Sequence, residues 1–350
     1  MSKVKIGFVG VGGMGQCAHL RNYISNPDCE VVAIAEIRPD LARKVAARYA
    51  IPNVYATYEE MLANEQLDAM VASQPFVRHG QLMPELLKAK IPLLSEKPLA
   101  GSIEQAEKIL QALDASGTIY MVGYHKRSDP AIMYAKAEID RLKASGELGA
   151  LRYVRIIMPP GDWVAAGFTD LITGDDPQPQ LALDPPASDM DEDTYNAYVS
   201  FVNYYIHQVN LMRHLLGEPY ALKFVAKSEA MLAVESASGV AGVIEMATYS
   251  TSIDWHESAL VTFEHGYVKV DLPAPLASNR PGRVEIFRDP GNGETPQTIV
   301  PTQPWVHAMR QQAINFVKAV KGEIAPPCEA HEAMEDLKIA RDYIRFVRGV

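Results

Sequence analysis

The chain is 350 residues long and 48% apolar, with 33 Lys and Arg against 43 Asp and Glu, a formal charge of −10. That balance excludes a nucleic-acid partner, whose phosphates require clustered cations, and no apolar run approaches the roughly 18 residues of a membrane span. The length suits about two domains with full cores, and Cys17, Cys29 and Cys328, without metal-type spacing, read as reduced thiols of a cytoplasmic protein.

The first element, Lys3–Val9, is a mostly apolar β run of the kind buried on both faces, and it leaves no room for a cleavable leader. It breaks into Gly10-Val11-Gly12-Gly13-Met14-Gly15, and a helix over Met14–Ser25 follows. In a dinucleotide-binding turn the first glycine permits the bend and the second lets backbone N–H groups approach the pyrophosphate. The third lets helix and strand pack closely. A second strand, Val31–Ala35, ends in Glu36, 21 residues beyond Gly15. A carboxylate there accepts the adenosine ribose hydroxyls and repels a 2′-phosphate, which favours NAD over NADP; Arg38 weakens that preference.

Helices are expected at Pro39–Tyr49, Tyr58–Asn64, His79–Ala89 and Ile103–Ser116, with Ser102 as N-cap of the last. They alternate with strands at Ala69–Ala72, Pro92–Ser95 and Ile119–Gly123, which predicts an α/β domain with a doubly wound parallel sheet over 1–125. Ligands of such sheets bind beyond the carboxyl ends of the strands. Gln74-Pro75, Glu96-Lys97-Pro98 and Tyr124-His125-Lys126-Arg127 fall at those ends. Gln74, Pro75, His79, Glu96 and Lys97 are therefore assigned to the cofactor side, with the glycine turn, Glu36 and Arg38.

From 126 to 350 the pattern changes. A long helix over Pro130–Ser145 precedes a strand at Leu151–Met158, a helix over Val199–Leu216 and six β runs between Leu222 and Phe287. His265-Gly266 reads as a two-residue hairpin turn. Helices near Trp305–Val320 and His331–Val347 close the chain, the last one free to pack back on the first domain. This is an α+β domain with a large, mostly antiparallel sheet. Between its first strand and its first helix, Pro159–Asn196 holds nine acidic residues, six prolines and no Lys or Arg. Such a segment is a lid, a binding loop, a contact arm or a solvated excursion. Trp163 within it favours a covering role.

Lys97 is the sharpest chemical candidate. An ammonium at the ligand edge of the sheet can hydrogen-bond a substrate hydroxyl and stabilise negative charge on oxygen as hydride leaves carbon. His207 supplies a base suited to neutral pH, with Asn203 and Asn210 on the same helical face. Lys126, Arg127 and Arg155 offer cations to a substrate, while Tyr124 and Trp163 complete its expected surroundings. No cluster with metal-ligand spacing is visible, so no metal is expected.

The glycine turn, Glu36, Glu96-Lys97-Pro98, the Lys126-Arg127-x-x-Pro130 run and the Asn203-x-x-x-His207 helix, in this order, resemble the glucose-fructose oxidoreductase/inositol dehydrogenase/MocA family over nearly the whole chain. The resemblance implies an N-terminal Rossmann domain and a C-terminal α/β domain whose open sheet forms an oligomer interface, here a homodimer or homotetramer. It implies NAD(P)-linked oxidation or reduction of a sugar or cyclitol carbinol. The lysine matching Lys97 binds the reacting hydroxyl, and the histidine matching His207 is the acid/base. Asn203 and Asn210 stand where the family usually carries Asp, and Gln74-Pro75-Phe76 replaces a Thr-Pro-Asn. Two alternatives share the fold: a redox-elimination glycosidase that uses NAD transiently, and a catalytically silent NAD-binding regulator.

Overall fold

The structure, a computed structural model, describes residues 2–349. The chain forms two compact units. The first comprises residues 2–124, Gly167–Tyr195 and Gln312–Leu337, and the second His125–Ala166, Asn196–Gln311 and residues 338–349. A single cut near residue 125 was expected; instead the chain returns twice to the first unit.

In the first unit six strands, β1 (Val4–Val9), β2 (Cys29–Ala35), β3 (Asn53–Tyr55), β4 (Ala69–Ala72), β5 (Leu93–Ser95) and β6 (Tyr120–Val122), form one sheet in the order β3-β2-β1-β4-β5-β6. Every pairing is parallel, so strand order reverses between β1 and β4, the place where such sheets open a ligand crevice. The crossovers carry α1 (Arg21–Ile24), α2 (Pro39–Tyr49), α3 (Tyr58–Asn64), α4 (His79–Leu87) and α5 (Ile103–Ser116). A wide π-helical turn over Gly15–Leu20 leads into α1. Pro39 opens α2, where its missing N–H costs nothing. Ser102 caps α5 by accepting the Gln105 N–H at 3.3 Å, and Gly117 ends it in the left-handed region at φ 65°.

Strands this apolar need cover on both faces, and part of that cover comes from far along the chain. Phe8 of β1 meets Tyr23 edge-on at 5.4 Å, and Tyr23 meets Phe316 at 6.5 Å. Phe316 is fully buried in the same core as Ile6, Ile34 and Leu94. Burying one such ring is worth roughly 2–3 kcal/mol, which explains why Gln312–Leu337, expected in the second domain, joins the first unit.

The acidic segment behaves likewise. Asp170 pairs with Arg48, Gly167 accepts from Arg21, Ile172 exchanges two hydrogen bonds with Gln16, and the Asp184 carboxylate accepts the Gly80 N–H at 2.8 Å. Its acids meet bases and helix N–H groups of the first unit, so from Gly167 onward it is a strap on that unit rather than a solvated excursion.

The second unit holds α6 (Pro130–Ser145), β7 (Leu151–Ile157), most of α7 (Glu192–Leu216) and strands β8 (Tyr220–Val225), β9 (Met231–Ser236), β10 (Ala241–Glu245), β11 (Glu257–Phe263), β12 (Gly266–Leu272), β13 (Arg283–Arg288) and β14 (Gln297–Ile299). Helices α8 (Ala308–Val320) and α9 (Ala330–Arg348) follow. The eight strands run β14-β13-β12-β11-β7-β10-β9-β8, antiparallel except for β7 with β10. The β11–β12 turn is Glu264-His265, one residue earlier than expected. Gly266 lies within β12, where an added Cβ would stand 2.2 Å from the Phe287 carbonyl oxygen.

Val154 and Ile156 of β7 are buried with Gly242 and Ile244 of β10, and a Cβ on Gly242 would touch the Met212 sulfur at 2.9 Å. That sheet face therefore packs on α7. Tyr153, Arg155 and Ile157 alternate onto the opposite face.

Candidate active site

In the first unit the glycine turn follows the expected division of labour. Gly10 sits at φ 90°, and a Cβ there would lie 2.3 Å from the Gln74 amide. Gly15 approaches the Gly10 carbonyl so closely that a Cβ would be 2.8 Å from its oxygen. Between them, a Cβ on Gly13 would meet nothing within 4 Å and one on Gly12 only the Arg38 guanidinium at 3.4 Å. The turn thus combines two packed glycines with an open shelf at the start of a helix, which suits a pyrophosphate. Gln16 steadies the turn by donating to the Val11 carbonyl at 2.8 Å.

Glu36 is buried at the end of β2. Its carboxylate accepts the Val11 N–H at 3.0 Å, the Arg38 N–H at 3.2 Å, and the Arg38 guanidinium through Nε at 2.7 Å and Nη2 at 3.0 Å. Four N–H donors match the carboxylate's accepting capacity. Ribose hydroxyls that enter must compete with Arg38. This pairing, more than any other influence, raises the Arg38 pKa.

Three strands away, Glu96-Lys97-Pro98 follows β5, with a cis bond between Lys97 and Pro98. Glu96 Oε1 lies 2.5 Å from His19 Nε2, and Oε2 accepts the Lys97 backbone N–H at 3.1 Å. Burial pushes the Glu96 carboxyl up, but its hydrogen bond to His19 and the charges of His19 and Lys97 outweigh that and hold it below the usual range. One carboxylate therefore joins the helix that leaves the glycine turn to the backbone of Lys97. His19 reaches it from the π-helical turn, a signal that periodicity in the sequence does not carry.

Gln74 donates to the Val9 carbonyl at 3.2 Å and accepts from Arg78 at 2.9 Å, beside Gly10 and after Pro75. His79, expected at the cofactor, is fully buried instead. Carbonyl oxygens of Leu99 (3.1 Å) and Gln74 (3.3 Å) flank its ring nitrogens, and burial lowers its pKa. It ties the strand-end loops together rather than facing a ligand.

In the second unit His207 lies on α7, with Asn203 exposed one turn before it. Its ring meets that of His125 edge-on, centroids 4.6 Å apart at 74°. The two residues after His125 grip the same stretch of helix. Lys126 reaches Glu257 at 2.5 Å, and Gln208 donates to the other oxygen of Glu257 at 2.7 Å. Arg127 donates to Asn210 at 2.6 Å. Trp255 donates to Glu257 at 3.1 Å and lies under the Lys126 ammonium. A three-residue turn thus fixes α7 at positions 207, 208 and 210.

These contacts correct several expectations about the substrate side. Lys126 and Arg127 are buried in helix-locking contacts rather than presented to a ligand, and Asn210 is Arg127's partner. Arg155 pairs through two 2.7 Å hydrogen bonds with Glu245 on the sheet face turned away from α7. Tyr124 is buried at the end of β6. Trp163 is half-buried, its backbone held by hydrogen bonds from its own N–H to Gly161 and from the Leu276 N–H to its carbonyl, contacts that leave the covering role expected of its side chain untouched. Glu257, Gln208 and His19 escaped sequence reasoning because their partners are remote in the chain. Among the described residues no three His, Cys, Asp or Glu side chains converge as metal ligands, and no helix is long and apolar enough to cross a membrane.

Residues 4–124 match the family model described as an oxidoreductase family with an NAD-binding Rossmann fold. An inositol 2-dehydrogenase of Rhizobium meliloti (strain 1021) is 24% identical over 357 residues, covering 98% of this chain and 97% of the relative. Levoglucosan dehydrogenase, solved in complex with NADH and levoglucosan, shares the fold with a TM-score of 0.72 at 16% identity, over 99% of this chain and 98% of that one. The aldose-aldose oxidoreductase from Caulobacter crescentus complexed with glycerol does so with a TM-score of 0.70 at 18% identity, over 99% and 98%. Sheet order, glycine turn and family match define an oxidoreductase with an NAD-binding Rossmann domain. The match to the glucose-fructose oxidoreductase/inositol dehydrogenase/MocA family model lies in the first 124 residues, and beyond it the likeness is to the full-length inositol 2-dehydrogenase at 24% identity.

Proposed function

We propose that this chain is an NAD-dependent dehydrogenase acting on a CH–OH carbon of a sugar or cyclitol. The observation that carries the reading is Lys97. It stands at the carboxyl end of β5, on the ligand edge of the sheet, and Glu96 ties its backbone to the helix of the glycine turn. The inositol 2-dehydrogenase and levoglucosan dehydrogenase among the relatives support the substrate class.

Bound NAD supplies the hydride acceptor, and the chain's own residues do the rest. The open Gly12–Gly13 shelf seats the pyrophosphate and Glu36 receives the ribose. The Lys97 ammonium donates to the reacting hydroxyl and stabilises the negative charge that grows on its oxygen. His207 removes the hydroxyl proton, held on α7 by the turn through His125, Lys126 and Arg127. Asn203 orients the hydroxyl or the imidazole, without the charge by which an aspartate would raise a histidine pKa. The open sheet face bearing Tyr153, Arg155 and Ile157 is where copies of the chain associate.

Lys97→Ala tests the assignment. NAD affinity by titration stays nearly unchanged while turnover on a responsive polyol falls at least about a hundredfold, the scale for one preorganised donor. Full turnover in that variant would remove Lys97 from the chemistry.

A further inference from the structure

Midway along, the strap of the first unit meets the head of the helix that follows Glu36. Asp176 places one carboxylate oxygen 3.1 Å from the Asp40 N–H and the other 2.9 Å from the Leu41 N–H, the leading donors of α2. The approach is close: a Cβ on the neighbouring Gly174 would lie 2.8 Å from the Leu41 nitrogen. The contact is reciprocal, since the Asp40 side chain accepts the Asp175 N–H at 3.0 Å.

We infer that Asp176 determines which dinucleotide the first unit accepts, by holding a resident carboxylate where the 2′-phosphate of NADP would bind. The inference rests on the assignment of the glycine turn and Glu36 to the dinucleotide. A ribose seated at Glu36 turns its 2′-oxygen toward Arg38 and the start of α2. There a phosphate would look for two things: a guanidinium, and the N–H groups at a positive helix end. Both are engaged. Arg38 is held by Glu36 through Nε and Nη2, and the α2 donors are held by Asp176. A phosphate would have to displace one carboxylate and sit against two. NAD, with a hydroxyl in place of the phosphate, competes with Arg38 for Glu36 but brings no charge against Asp176. Glu36 alone leaves the choice ambiguous because Arg38 is beside it; the acid that decides comes from 140 positions further on.

The test uses the full chain and reads dissociation constants for NAD⁺ and NADP⁺ by calorimetric titration, so no substrate is needed. Asp176→Asn removes the charge and keeps an acceptor, and Asp176→Ser replaces it with a neutral helix cap. In both, the ratio of the NADP⁺ to the NAD⁺ constant falls about tenfold or more at low salt, the fold equivalent of about 1.4 kcal/mol of relieved repulsion. NAD⁺ affinity moves by less than about threefold, because NAD⁺ never meets that carboxylate. A ratio unchanged in both variants overturns the inference. So does loss of NAD⁺ binding in both, which would make Asp176 a general brace for the strap. A native chain that binds neither dinucleotide overturns the cofactor seat itself and this inference with it, a different failure from an unchanged ratio.

Discussion

Glu96 in the first unit and Glu257 in the second are both carboxylates withdrawn from water with a basic side chain 2.5 Å away. Glu96 stays 12% exposed, and its second oxygen takes a backbone N–H at the rim of the sheet. Glu257 is fully buried, and Lys126, Gln208 and Trp255 surround it. The first holds a lysine at a ligand edge. The second locks a turn to a helix. Equal chemistry at different depths serves opposite ends: a group near the surface can position a reactive neighbour, whereas a sealed one can only fix a frame. In the second unit that frame holds His207, half-buried on α7 and the base of the proposed reaction.

The comparison is broken most severely at His207. If the second unit supplies the base, His207→Gln lowers turnover by about two to four orders of magnitude, the usual worth of general acid–base catalysis. The acid limb of the kcat/KM pH profile disappears with it, since that limb reports protonation of the base. A variant that keeps the acid limb would assign the proton to another group.

Glu257 is the next largest test. Glu257→Ala leaves the Lys126 ammonium buried without its carboxylate, and breaking such a pair costs about 3–5 kcal/mol, read from denaturant unfolding. Removing both charges together, as Lys126→Met with Glu257→Leu, recovers most of that loss, because the penalty belongs to the stranded charge. If the double variant is as unstable as the single, the pair contributes more than mutual neutralisation. Glu96→Gln, by contrast, costs less stability because its site is partly solvated, yet it loosens Lys97.

How much of this was legible in the chain follows the same division. The glycine turn, Glu36 and Glu96-Lys97-Pro98 are local: each joins a strand end to the next few residues, so spacing alone exposes them. Arg155 was legible too, had strand parity been weighed, because Val154 and Ile156 are the apolar pair that must face a helix and Arg155 alternates away from them. The Lys126–Glu257 pair spans 131 positions and the Gln16–Ile172 contact 156, and no local pattern couples such residues. The acidic strap lacked a visible partner for the same reason. Its mates, Arg21, Arg48 and the head of α2, become a surface only once the first sheet has formed. Composition marked the segment as unusual; only the fold says what it neutralises.

The smallest effect separates the units by sign. Glu96 is held below the ordinary carboxylate range, so the unfolded chain binds its proton more readily. The stability it contributes is present above the unfolded value and is lost as pH falls through the folded one. Asp129, at the head of α6 in the second unit, is the reverse. Burial raises it to about 6 against the pull of hydrogen bonds from Ala131 and Gly282. Between an ordinary aspartate value near 4 and about 6 the folded chain therefore holds a proton that the unfolded chain has released, and stability declines as pH rises across that window. Asp129→Asn removes the titration while the amide oxygen still accepts one backbone N–H. Melting temperatures of the variant, compared with the native chain at pH 4 and pH 7, should show a smaller decline across the interval. An unchanged decline would mean that the proton taken up there belongs to another group.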